Sequence, residues 1–243
     1  MPRFFINKED ALGDVLFIKG EDAYHIARSL RMAVGDSLVV SDGEGLEFIC
    51  RLTRIRDEAC ECEIIERRMG EGESPVDITL FMAYPKGDKL ETVIQKAVEL
   101  GASRIVPFES SRCIKRPKAE KLDKQLLRLS RIAREAAGQS ARSRLPRVLA
   151  PISFSEMIVA AGQSEIALFC YEGESCVSIK DALRKGQPSS ISVIVGSEGG
   201  FSEDEAKMAR EGGLISVSLG KRILRCETAP AFALSSIAYE FEI

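Results

Sequence analysis

From Val76 onward, short apolar runs alternate with stretches whose apolar positions recur every three or four residues. VDITLFMAY reads as a strand. KLETVIQKAVELG follows, with Leu90, Val93, Ile94, Ala97 and Val98 on one helical face and Gly101 as its stop. SRIVPF is the next strand. A long helix over residues 118–137 then carries Leu122, Leu126, Leu129, Ile132, Ala133 and Ala136 on one stripe. EIALFCY, ISVIVG and LISVSLG supply three more strands, and residues 229–240 a final apolar helix. Strands and helices in this rhythm predict an α/β domain with a mostly parallel sheet and helices on both faces.

The first seventy residues have another texture. LVV (38–40) and LEFICRLTRI (46–55) flank SDGEG, whose Asp42-Gly43 pair favours a tight turn. ACECEIIERR alternates as a third strand, and EDAYHIARSLRM forms a helix that ends before Gly35. Small β-barrels are assembled this way. MGEGESP (69–75) is a turn-rich linker. The predicted organisation is therefore a β-barrel over 1–70 and an α/β domain over 75–243.

Composition narrows the function classes. The chain has 243 residues, 45% of them hydrophobic, enough for one large domain or two unequal ones. Net charge is −3, so overall charge gives no case for nucleic acid and the distribution of charge decides. No apolar run reaches the roughly 18 residues that span a bilayer, and MPRFFINKED lacks the features of a signal peptide, so a cytoplasmic protein is expected. Seven irregularly spaced cysteines and one histidine make no four-ligand zinc set. No metal is expected, and the thiols read as buried residues in a reducing compartment.

The candidate chemistry lies at two strand ends. GSEGGFSEDEA (196–206) follows ISVIV, and ligands of open α/β sheets sit beyond the carboxyl ends of strands. Glycines there let a ligand approach bare backbone, while Ser202 and Glu205 match a capping box for the next helix. A plain glycine-rich corner would look the same. No dinucleotide or phosphate-loop fingerprint occurs. About twenty residues on, LISVSLG leads into KRILRCETAP, a second strand end with a glycine, two arginines and a glutamate. Two such bends at neighbouring strands could form one pocket.

Taken together, GSEGGFSEDEA, LGKRILRCETA, KGDKLETVIQKAVELG, RIAREAAGQSARSRLP and HIARSLRMAVGD resemble the bacterial small-subunit ribosomal RNA uridine methyltransferases called RsmE, of the knotted SPOUT class. The resemblance covers the whole chain in order. It departs at Ser197, where the family usually has Pro, and at Gly138, where it usually has Glu. The resemblance implies a deep trefoil knot around S-adenosylmethionine, a PUA-like N-terminal barrel that helps bind RNA, and a homodimer. It further implies methylation of ring nitrogen 3 of one uridine in 16S ribosomal RNA, on the assembled 30S subunit. No membrane partner is implied.

Carried onto this sequence, the expected cofactor contacts are backbone groups of Gly196, Glu198, Gly199 and Gly200, and of Leu219, Gly220, Ile223, Leu224 and Arg225. Phe169, Tyr171, Glu172, Thr228 and Ala229 would complete the pocket. The imino proton must leave as the base is methylated, and a cation facing the uracil oxygens would stabilise the charge that develops. Arg225 is the first candidate for that cation, with a structural pair to Glu227 or Glu198 as the alternative. Glu198 is a candidate base, with a loop-holding role favoured. Cys226 reads as a small packed residue, and Thr228 as a cap for the last helix.

Basic residues crowd one stretch. Lys124, Arg128, Arg131, Arg134, Arg142, Arg144 and Arg147 face only Glu135, and Arg112, Lys115, Arg116, Lys118 and Lys121 face only Glu120. Phosphate contact wants this pattern, although a solvated helix face would share it. RNA contact is expected at Arg112, Arg134, Gln139, Arg142 and Arg144, and at His25, Arg28 and Arg31, which recur three residues apart. A non-catalytic RNA-binding protein and an α/β enzyme acting on a phosphorylated small molecule are the alternatives.

Overall fold

The computed structural model describes residues 1–114, 119–173, 177–184 and 186–243, with the side chain of Ala119 also outside the description. Lys115, Arg116 and Lys118 of the basic run, and Cys176, lie outside the described residues. The chain divides into two units, Met1–Glu73 with Ala137–Leu145, and Ser74–Ala136 with Pro146–Ile243. A continuous second domain over 75–243 therefore differs from what is found, because 137–145 belongs with the N-terminal residues.

The first unit carries β1 (Arg3–Phe5), β2 (Ala11–Leu12), β3 (Val15–Lys19), β4 (Ser37–Ser41), β5 (Leu46–Arg54) and β6 (Ala59–Met69), in the sheet order β1-β4-β5-β6-β3-β2. β1 pairs parallel with β4 and the other pairs are antiparallel. Asp42 makes the β4–β5 turn, its carboxylate accepting the N–H groups of Glu44 and Leu46 at 2.8 and 3.1 Å. Alternation along the strands puts Phe48, Cys50, Leu52, Cys60, Cys62 and Ile64 into one core with Leu16, Ile18 and Leu38. Each large aliphatic side chain so buried contributes about 1.5–3 kcal/mol. The three thiols act as small apolar residues, and burial pushes Cys50 and Cys62 up to about 12. The helix expected over 21–32 is broken. α1 (Glu21–Tyr24) widens into a π-helical turn over His25–Ser29, and Arg31 then takes φ 51°.

The segment 137–145 is bound into this unit by Glu73. Its carboxylate accepts the N–H groups of Ser143 and Arg144 at 2.9 Å each, and pairs with the Arg142 guanidinium at 2.8 Å. The linker glycines serve this approach. A Cβ at Gly72 would lie 2.5 Å from the Ala141 carbonyl, too close for any side chain.

The second unit is built on one parallel sheet. Its strands are β7 (Asp77–Ala83), β8 (Arg104–Glu109), β9 (Arg147–Val148), β10 (Ile152–Ser153), β11 (Ile166–Cys170), β12 (Val177–Ser178), β13 (Ser190–Val195) and β14 (Ile215–Ser218). The order is β10-β8-β7-β13-β11-β14-β12, with β9 also on β8, and every pair is parallel. Ile78 to Ala83 in β7 and Ile191 to Val195 in β13 are buried without a break. Successive strand residues face opposite sides, so both faces of the sheet are covered. The covering helices are α2 (Lys89–Glu99), α3 (Leu122–Gln139), α4 (Phe154–Ala161), α5 (Ile179–Leu183), α6 (Glu203–Glu211) and α7 (Thr228–Phe241), α3 running on into the first unit at Ala137. α2 buries the predicted stripe of Leu90, Val93, Ile94, Ala97 and Val98. Among the described residues no helix is long and apolar enough to cross a membrane.

Candidate functional site

β11 lies between β13 and β14, with Cys170 level with both Val195 and Val217. Because the three strands are parallel and in step, their carboxyl ends open on one edge of the sheet. The chain passes from β11 to β12 beyond β14, returns to β13 on the other side of β11, and then crosses β11 to reach β14, so the bends after β13 and β14 flank the end of β11. Crevices of this kind bind ligands in open α/β sheets. A cavity of about 690 Å³ lies there, walled by residues 196–201 after β13, by Leu219 and residues 223–226 after β14, and by Tyr171 and Glu172 after β11. Small-molecule sites span about 300–1,000 Å³.

The glycines of GSEGG do different work. Gly200 has φ 61°, closing a turn in which its N–H donates to the Ser197 carbonyl at 2.9 Å. Gly199 is needed for close approach, because a Cβ there would lie 2.9 Å from the Arg112 Cβ and 3.2 Å from the Arg112 carbonyl. Arg112 also donates from its guanidinium to the Gly199 carbonyl at 3.0 Å. Beneath the loop, Phe201 packs on Phe169 with ring centroids 4.3 Å apart. The predicted capping box forms, with Ser202 accepting from Glu205 N–H and Glu205 from Ser202 N–H. Glu205 additionally accepts the Ser111 N–H at 2.7 Å. Burial pushes its pKa up, but the N–H groups of Ser111 and Ser202 outweigh this and hold it below the usual value.

A second set of contacts joins the two bends. The Lys89 ammonium lies 3.0 Å from Glu198 Oε1 and 3.3 Å from Glu227 Oε2. Glu198 also accepts the Lys86 N–H at 3.1 Å. The Cys226 thiol donates to Glu227 at 3.2 Å, and burial first, then that bond, pushes it up to about 12. It is thus a protonated thiol, as expected of a packed residue. Glu198 is pushed up by burial, but Lys89, its own N–H and that of Lys86 bring it below the usual carboxylate range. Arg225 takes neither of the acidic partners considered for it. Its side chain is exposed, with no ion pair among the described residues, and its carbonyl accepts the N–H groups of Thr228 and Ala229 at the start of α7.

Most of the expected pocket residues meet at the cavity: Tyr171, Glu172, Gly196, Glu198, Gly199, Gly200, Leu219, Ile223, Leu224, Arg225 and Ala229. Three do not. Phe169 is fully buried under the loop, Gly220 lies on the outer bend at φ 110°, and Thr228 is an exposed residue of α7. Thr228 is not the cap either, since the N-cap position falls on Glu227, which makes no side-chain cap bond. Sequence reading missed Lys89, Cys170, Ser197, Phe201 and Glu203 as lining residues, and placed Arg112 with RNA alone. The signal for Lys89 was present: a lysine at the first position of a helix faces the positive end of its dipole.

Among the positions expected to meet RNA, Arg144, Gln139, His25 and Arg31 are exposed. Arg28 is exposed but held by Asp57 at 2.6 Å. Arg134 is half-buried on α3. Arg142 departs from the expectation, because its side chain is only 4% exposed and lies on Glu73. A phosphate could reach it only after that pair opened. No group of three or more His, Cys, Asp and Glu that could hold a metal occurs among the described residues.

Comparison with known proteins agrees with this architecture. The profile of an RNA methyltransferase domain matches residues 72–238, and that of an RNA methyltransferase PUA domain residues 18–65. The ribosomal RNA small subunit methyltransferase E of Bacillus subtilis is 34% identical, over 100% of this chain and 98% of its own. The protein of that name from Synechocystis is 32% identical, over 97% of this chain and 76% of its own. The crystal structure of the Neisseria gonorrhoeae ribosomal RNA small subunit methyltransferase E bound to S-adenosyl methionine superposes with a TM-score of 0.88 and 33% identity, covering 98% of this chain and 97% of that one.

Proposed function

The chain belongs to the ribosomal RNA small subunit methyltransferase E family of RNA methyltransferases, and on that footing we propose that it transfers a methyl group from S-adenosylmethionine to ring nitrogen 3 of one uridine in 16S ribosomal RNA. The substrate in this reading is the assembled 30S subunit, met in the cytoplasm. The observation that carries it is the cavity at the ends of β11, β13 and β14, with an exposed guanidinium at its edge.

The residues present fit the cofactor. An added Cβ at Gly200, which lines the cavity, would meet nothing within 4 Å, so this bend offers bare backbone to open space. Val195, Val217, Leu219 and Leu224 give the cavity apolar walls, against which an adenine can lie. Ser197 lines it with a hydroxyl that has no hydrogen-bond partner among the described residues. Backbone groups of 196–200 and 219–224 would hold the adenine and ribose edges. When bound, the cofactor supplies an activated methyl group on a sulfonium.

The chain must then orient the uracil and ease the departure of its imino proton. As that proton leaves N3, negative charge spreads onto the two carbonyl oxygens of the ring. Arg225 is the cation for that charge, because its guanidinium is not spent on a carboxylate of the described residues. Glu198 holds the loop, since its carboxylate is already taken by Lys86 N–H and Lys89. His25, Arg31, Gln139 and Arg144 contact RNA phosphates, and the target base must be unpaired or turned out of its helix. A homodimer is supported by apolar side chains left in solvent: Ile223, 86% exposed beside the cavity, and Phe232 and Tyr239, seven residues apart on α7.

Calorimetry with S-adenosylmethionine tests the cofactor, with saturable micromolar binding expected. Mass mapping of 16S ribosomal RNA from cells with and without the protein tests the rest. A uridine that gains an N3-methyl group only with the protein present is the expected result, and an unchanged methylation map would overturn it.

A further inference from the structure

Lys89 is placed where local physics disfavours it. It is the first residue of α2, and the helix dipole presents positive charge there. All three ammonium donors nevertheless have acceptors: Glu198 Oε1 at 3.0 Å and Cys226 Sγ at 3.9 Å, both on the cavity wall, and Glu227 Oε2 at 3.3 Å. The acceptors come from two different bends. Glu198 belongs to the turn after β13, and Cys226 and Glu227 to the bend after β14. The acceptors are themselves fixed, Glu198 by the Lys86 N–H and Glu227 by the Cys226 thiol. Without Lys89, Glu198 and Glu227, which share its ammonium, would repel each other.

We propose that Lys89 is a positioning residue whose ammonium clasps Glu198 to Glu227, setting the spacing between the two bends that receive the cofactor. The clasp rests on the methyltransferase reading of the cavity. It touches neither the methyl group nor the base. It acts by holding the unliganded bends in the bound arrangement, so that binding does not have to order them. A residue of this kind governs cofactor affinity, and leaves the chemical step alone once cofactor saturates the site.

The test is calorimetry with S-adenosylmethionine on the full chain, alongside single-substrate kinetics with 30S subunits. Lys89→Met should weaken cofactor binding by about tenfold or more, in line with losing charged hydrogen bonds at a half-exposed site. kcat at saturating cofactor should stay within about threefold, and Lys89→Arg should restore most of the affinity. Lys89→Met combined with Glu227→Gln should bind no more weakly than Lys89→Met alone, because one clasp can be broken only once. If Lys89→Met does not fold, Glu198→Gln and Glu227→Gln carry the test, each expected to weaken binding. Unchanged affinity in the folded variants, losses that multiply in the double variant, or a fall in kcat with affinity intact would each overturn the clasp. A wild-type chain that binds no S-adenosylmethionine would instead overturn the proposed function.

Discussion

Arg112 lies against Gly199 so closely that a β-carbon on residue 199 would sit 2.9 Å from the Arg112 Cβ, while the Arg112 guanidinium reaches round to the Gly199 carbonyl at 3.0 Å. One residue thus fills the space beside the turn and also fixes the turn's carbonyl. Neither the Cβ nor the carbonyl of Arg112 is the free end of a flexible side chain, so the clash cannot be relieved cheaply. Gly199→Ala should displace the 196–201 turn and weaken cofactor binding by roughly tenfold, for a strain of about 1–3 kcal/mol. Calorimetry measures it, and a variant binding as tightly as wild type would mean that the turn yields.

Arg225→Ala should separate binding from turnover. The guanidinium has no ion partner among the described residues, so its loss costs the fold little. As the cation for charge developing on the base, it should be worth about 10²–10³ in kcat, with cofactor affinity changed by less than about threefold. A parallel fall in both would make Arg225 part of the pocket's frame instead.

Two arginines, two residues apart, should behave differently. Arg142→Ala removes a buried partner of Glu73 and should cost about 3 kcal/mol in stability, read as a lower denaturation midpoint. Arg144→Ala should leave the midpoint nearly unchanged and weaken RNA binding, flattening its dependence on log salt by about one unit. An Arg142 variant of full stability that loses only RNA affinity would reverse the assignment.

The Lys89 clasp also gives a pH signature. Glu198 and Glu227 are held below the ordinary 4.5, and Lys89 is raised above the ordinary 10.5, chiefly by its hydrogen bond to Glu198. A depressed carboxylate adds stability above its unfolded pKa and loses it as pH falls through the folded one. A raised lysine adds stability below its unfolded pKa and loses it as pH rises through the folded one. The gap in Tm between wild type and Lys89→Met should therefore be level from about pH 5 to pH 10 and close on either side. A gap that persists unchanged at pH 3 would show that the pair titrates outside this window.

The sequence made some of this legible and hid the rest for physical reasons. β7, β8, β11, β13 and β14 stand out because strands buried on both faces are continuous apolar runs, and α2 because its stripe ends at Gly101. The two bends were legible through their glycines, and the Ser202–Glu205 cap through its spacing. β1 and β2, three and two residues long, carry too little periodicity to read. α4 does carry a capping box, Ser153 with Glu156, ahead of an eight-residue helix, and that signal was available. Arg142 was misplaced because a count of charges does not separate a guanidinium on a buried carboxylate from one in water. The place of Lys89 at a helix start was legible, but its partners, like those of Arg112, became visible only with tertiary structure because they are distant in sequence.

The short piece 137–145 is wired to Glu73 yet encoded between two blocks of the other unit. No single cut of the gene therefore yields either module intact. A polypeptide ending at Glu73 would lack the strip its last residues grip, and one beginning at Ser74 would carry that strip with nothing to grip it. Exchange of the N-terminal module between relatives would need two coordinated crossovers, which favours inheritance of the two modules as a linked pair.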